Sequence, residues 1–238
     1  MAHRSDQHQR QRDGRYRRDR RDNGGTAFGA PAAGSAAERP RARAAELLER
    51  SGKTYAQEAG ITLRNTPSPL YRLLVLTTLL SARIGTPIAM AAARELSAAG
   101  WRTPRAMGEA SWQEIVDALG RAHYRRYDES TATALGTSAR LLDERWHGDL
   151  RRLRAEADGD PRRIRELLQE FRGIGPAGAE IFCREAQGIW PELRPAFDRR
   201  ALDGAREADL PGDPRRLATL VAPPDLPRLA AALVRTTL

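Results

Sequence analysis

Residues 168–179 read Leu168-Gln169-Glu170-Phe171-Arg172-Gly173-Ile174-Gly175-Pro176-Ala177-Gly178-Ala179. The stretch predicts the end of one helix, a tight turn on Gly173-Ile174-Gly175, and the start of a second helix. Glycine permits positive φ and close backbone approach. Ile174, between the two glycines, is expected to plug the gap between the helices. The N–H groups of Gly175, Ala177 and Gly178 open the second helix, and amides without an intrahelical acceptor form a ready phosphate site. Pro176 donates nothing but fixes φ in the first turn. Such a contact holds a nucleic-acid backbone without reading its bases. The competing reading is an ordinary corner between two helices.

Working outward, the pattern is helical from about Arg41 onward. Residues 41–59 carry Ala44, Leu47 and Leu48 on one face. Ser68 and Pro69 predict a helix start, with Ser68 as N-cap and Pro69 in the first turn, ahead of Leu73, Leu76 and Leu80. Thr86-Pro87 repeats that signal, and Gly100 stops the helix it opens. Ser111 is expected to cap a helix with Trp112, Ile115, Val116 and Leu119. Asp128 or Ser130 starts a longer one through Leu141 and Leu142. Asp160-Pro161 starts another, with Ile164, Leu167, Leu168 and Phe171. A helix from about Ala177 to Ala186 follows the turn. Further helices are expected over 198–208, 213–221 and 224–236. No segment alternates with period two, so the expected class is all-α.

Composition narrows the chemistry. The chain has 238 residues and a formal net charge of +9. Of its 40 basic residues, 39 are Arg, and Lys53 is the only lysine. The single cysteine, Cys183, rules out a disulfide framework, a multi-cysteine zinc site and a four-cysteine iron–sulfur cluster. His3, His8, His123 and His147 lack ligand spacing, and no metal site is expected. No apolar run reaches the roughly 18 residues of a membrane span. The expected protein is a soluble, cytoplasmic monomer. Residues 1–40 read as a disordered basic tail and 41–238 as the folded part. Residues 1–45 hold 11 Arg and five acids, so most of the net charge lies there. The tail is either a non-specific nucleic-acid tether or a solubilising extension.

The Gly-Ile-Gly turn between apolar helices resembles the helix–hairpin–helix of DNA-binding proteins. Upstream lies Leu79-Leu80-Ser81-Ala82-Arg83-Ile84-Gly85-Thr86, and downstream Arg194-Pro195-Ala196-Phe197-Asp198-Arg199-Arg200-Ala201. Between them runs Leu119-Gly120-Arg121-Ala122-His123-Tyr124-Arg125. Order and spacing over roughly Ser68–Leu202 are similar to the endonuclease III superfamily of base-excision DNA glycosylases. The resemblance implies two helical subdomains with a cleft between them. One would span about 66–188, the other 41–65 with 189–238. It implies duplex DNA as partner and a nucleoid association. The backbone would be held by Gly173, Ile174, Gly175, Ala177 and Gly178, and by Arg83, Arg121 and Arg125.

The resemblance places Asp198 where the family's aspartate faces a flipped base. A carboxylate there can stabilise positive charge on the sugar or orient a water. The alternative is that Asp198 only caps a helix. Arg83 falls where a residue fills the gap left by the flipped base; the alternative is a solvated helix-end Arg. Stacking on bases by Tyr124 or Tyr127 is a further expectation, against inward packing. Bifunctional members carry a lysine two positions after the second hairpin glycine, where this chain has Ala177. No lyase activity is therefore expected. Arg199-Arg200 replace the small residue and the His or Asn that usually follow the aspartate, and Thr78 stands where the adenine-specific branch has glutamate. The expected function is a monofunctional glycosylase using Asp198, with a catalytically inactive helix–hairpin–helix DNA-binding protein as the alternative. No cofactor is expected, beyond a monovalent cation at the hairpin.

Overall fold

Side-chain oxygens and prolines set most helix starts in this chain. Thr103, Ser111, Asp149, Asp160, Asp198 and Asp213 each accept a hydrogen bond from an amide in the first turn that follows. These amides have no intrahelical acceptor, so the caps decide where each helix begins. A computed structural model describes residues 38–237. The helices are α1 (Glu38–Ser51), α2 (Tyr55–Glu58), α3 (Pro67–Ser81), α4 (Thr86–Ala98), α5 (Pro104–Glu109), α6 (Trp112–Arg121) and α7 (Asp128–Trp146). They continue with α8 (Leu150–Glu156), α9 (Pro161–Leu168), α10 (Pro176–Ala186), α11 (Arg199–Glu207), α12 (Pro214–Ala218) and α13 (Leu226–Thr236). The described residues contain no strand, and the class is all-α as expected.

Several boundaries differ from expectation. The single helix expected over 41–59 is two. It breaks after Ser51 because Thr54 opens a new turn: its Oγ1 accepts from Gln57 N (3.1 Å), and Gln57 Oε1 accepts from Thr54 N (2.9 Å). Thr54→Ala removes a buried cap and is expected to cost about 1 kcal/mol, read as a lower urea midpoint. Ser68 is not an N-cap. Its hydroxyl donates to the Arg102 carbonyl (2.9 Å), and α3 begins at Pro67 after Thr66. Helix α9 ends at Leu168, so Phe171 belongs to the turn. Helices α5 and α8 were not expected; α8 lies within the arginine cluster Arg151, Arg152 and Arg154, where charge obscures the buried Leu150 and Leu153. The tail expected over 1–40 falls outside the described residues up to 37, and residues 38–40 belong to α1.

Helix α3 is apolar on almost every side. Leu70, Tyr71, Leu73, Leu74, Leu76 and Leu79 are all buried, as a helix surrounded by others requires. It packs against α4, α7, α8 and α10. Helices α1 and α11 pack on α13, and α10 also touches α13. One hydrophobic core runs through both sets. Where α3 and α10 meet α11, α13 and α2, the surface is hollowed, and Arg83, Ala177 and Asp198 converge there.

Candidate functional site

The hairpin turn has one left-handed residue. Gly173 has φ +88°. Gly175 is extended, at φ −95° and ψ −169°, and serves as the N-cap position of α10. The expectation of two positive-φ glycines is thus met by Gly173 alone. Ile174 is buried as a plug between the helices. No side chain caps α10. A Cβ on Gly178 would lie 2.5 Å from Ser81 Oγ and 3.1 Å from Ile174 Cγ2, so α10 lies close to the end of α3 at this glycine.

That approach brings the Leu79–Thr86 segment over one face of α10. Ala177, Glu180, Ile181 and Arg184 recur at helical spacing and line a 570 Å³ cavity. Its other walls include Arg83, Tyr55, Asp198, Arg199 and Arg200. The cavity therefore unites Ala177, Arg83 and Asp198 from three separate stretches. A second hollow of 460 Å³ adjoins it through Ser81, Ala82 and Arg83, and is lined by Thr78, Tyr127, Arg172 and Gly173.

Asp198 does two things. Its Oδ1 accepts from Ala201 N (2.9 Å), capping α11. Its Oδ2 accepts from Arg184 Nη1 in an ion pair that is almost wholly buried on the arginine side. The segment leading to Asp198 is held by Gln187. Gln187 Nε2 donates to Ala196 O (2.8 Å), and Ala196 N donates to Gln187 Oε1 (3.0 Å). Arg194 Nε donates to Gln187 O (2.7 Å). These bonds fix the chain across the cis Arg194–Pro195 peptide and so fix where Asp198 points. Arg184 and Gln187 were missed in the sequence. Their signal was positional: they continue the α10 face that starts at Ala177.

Next to Arg184, Glu185 is buried and faces α2. Its carboxylate accepts from Ala56 N (2.9 Å) and Tyr55 N (3.4 Å). Burial pushes its carboxyl above the ordinary value, against the opposing charge of Arg184. The Tyr55 ring is approached by two guanidinium groups, Arg235 at 4.7 Å and Arg184 at 5.2 Å.

Other expected residues lie elsewhere. Arg121 is tied to Glu95 (3.2 Å) and lines neither hollow. Arg125 is exposed and also lines neither. Tyr124 is fully buried, its Oη accepting from Thr131 Oγ1 (3.3 Å), so it offers no face to a base. Of the two readings open for Tyr124, inward packing is the one observed; Tyr127, half-buried, lines the second hollow. Lys53 lines a separate 680 Å³ hollow with Arg228 and Arg235. Cys183 is buried in α10, and burial pushes its thiol up to about 12. One protonated, enclosed thiol does not fit an iron–sulfur cluster. Among the described residues no three His, Cys, Asp or Glu side chains group as a metal site. No helix there is long and apolar enough to cross a membrane.

No protein-family model and no curated protein matches the sequence. Solved structures do match it. A non-covalent endonuclease III–DNA complex aligns over 83% of this chain and 84% of its own, at 15% identity and a TM-score of 0.50. The fold is that of endonuclease III. A trapped endonuclease III–DNA covalent intermediate, an estranged-adenine complex, aligns over 83% and 84% at 16% identity and a TM-score of 0.49. The alignment to the non-covalent complex extends the fold well beyond the hairpin.

Proposed function

We propose that this chain binds duplex DNA through the α10 N-terminus and hydrolyses the glycosidic bond of a base turned out into the Asp198 cavity. One observation carries the reading. The cavity brings Asp198, Ala177 and Arg83 together, although 115 residues separate Arg83 from Asp198. The uncapped amides of α10 supply a phosphate site beside it. The solved structures of this fold named above are DNA complexes.

The chemistry follows from the partners of Asp198. Arg184 and the Ala201 amide each hold one of its oxygens. The carboxylate can face the positive charge that grows on the sugar as the base departs, and it can orient the attacking water. With Ala177 at the hairpin position and Lys53 in another hollow, the cavity has no amine to form a Schiff base. The predicted product is a free base and an uncut strand.

A panel of duplexes, each with one lesion, tests this. Base release should be seen, strand breaks should need alkali, and Asp198→Asn should slow release at least about a hundredfold. Strand breaks without alkali would refute the hydrolytic mechanism. A second reading has its own observation: the Arg184 charge opposes the negative field of Asp198. It describes a DNA-binding protein without catalysis. Salt-sensitive duplex binding with no base released from any lesion would establish it.

A further inference from the structure

Arg184 does more in this cavity than hold Asp198. The side chain is 3% exposed. Its Nη1 donates to Asp198, and its Nε is enclosed without a partner. Its Nη2 has no protein acceptor, and Arg184 is one of the residues that line the cavity. A guanidinium fixed this firmly presents a hydrogen-bond donor at a set position.

The rest of the cavity has the same sign. Arg83 and Arg200 are exposed at its edge, and Arg199 reaches Asp203 only at 3.9 Å. Both carboxylates in the walls are already paired, Asp198 with Arg184 and Glu180 with Arg165 (2.6 Å). Tyr55 is the single aromatic side chain in the walls, and two guanidinium groups already use its π density. A cation entering here meets no free carboxylate and no free ring, the two groups that stabilise one. A neutral group with a carbonyl edge meets a fixed guanidinium with donor capacity that no protein acceptor uses.

Building on the glycosylase reading above, we infer that Arg184 sets the substrate class. The cavity takes a neutral base whose edge presents acceptors, and it excludes a positively charged alkylated base. Nη2 donates to the acceptor edge, while the arginine charges repel the cationic ring.

Binding, separate from catalysis, tests the inference. Duplexes with 2′-fluoro sugars, which resist hydrolysis, would carry one hypoxanthine, one 7-methylguanine or no lesion. These purines are similar in size, and the methylated one is cationic. Fluorescence anisotropy with the full chain should show the hypoxanthine duplex bound at least roughly tenfold more tightly than the 7-methylguanine duplex. Arg184→Met should bring that ratio to near one. Arg184→Lys, which keeps the charge, should retain much of the discrimination, and a ratio within one variant is insensitive to partial unfolding. Two lesions bound equally by the wild type, and both better than undamaged DNA, would overturn this inference alone. So would a ratio unchanged in Arg184→Met. Neither lesion bound better than undamaged DNA would overturn the proposed function with it.

Discussion

Gly204→Ala is expected to lose about 3 kcal/mol or more of stability. A Cβ at this position would lie 1.9 Å from Leu233 O and 2.4 Å from Thr236 Oγ1. The threonine hydroxyl can turn away, but the Leu233 carbonyl is part of the α13 backbone and cannot. Helices α11 and α13 would have to separate. Ala201 and Ala205 of α11 and Ala230 of α13 are small and fully buried. Separation would open voids along the whole contact. Helix propensity runs the other way, since alanine is better than glycine by about 1 kcal/mol in a helix. Overpacking ordinarily costs about 1–3 kcal/mol, and an overlap with backbone falls at or above the top of that range. Packing should therefore win. Urea unfolding should show a lower midpoint at unchanged slope. A stabilised Gly204→Ala would show that helix propensity outweighs the overlap with Leu233 O. Because Asp198 caps α11, the variant should also weaken lesion binding.

Glu185→Ala has the second large effect, expected at about 3–5 kcal/mol. The carboxylate serves the Tyr55 and Ala56 amides at the start of α2, 130 and 129 residues away. Each buried amide left unsatisfied costs about 1–3 kcal/mol. Glu185→Gln keeps an acceptor and should lose less. The pH dependence has a definite sign. Burial raises the folded carboxyl above its ordinary value, so the folded protein holds that proton more tightly than the unfolded chain. The contribution is full below the unfolded carboxyl value of about 4.3. It is lost as pH rises through the raised folded value. The stability margin of wild type over the non-titrating Glu185→Gln should thus shrink with rising pH over that interval. Urea titrations of both proteins at several pH values would measure it. A margin that grew with pH would show that ion pairing, not burial, governs the group.

The local devices were legible in the sequence. Ser111 and Asp160 cap the helices they were expected to cap, and Ile174 plugs the hairpin. Asp198 was left between two roles, and the structure gives it the cap while also placing it in the cavity. The two hairpin glycines looked alike, yet only Gly173 needs a left-handed backbone. Gly178 matters for a neighbour, Ser81, that no local pattern names. Tyr124 was left between stacking on bases and inward packing, and it is buried because the residues after α6 fold it against α7.

The sequence by itself determined the helix class, the hairpin turn and a decisive chemical limit: one lysine, and alanine at the hairpin position that could have carried another. Those follow from hydrogen bonds and steric limits within a few residues, which composition and spacing record directly. The tertiary structure alone decided that Arg184 clamps Asp198, that Glu185 seals the start of α2, and that the cavity walls present cations. Those depend on where separate helices cross, and a buried charge takes its meaning from whichever distant group the crossing sets beside it.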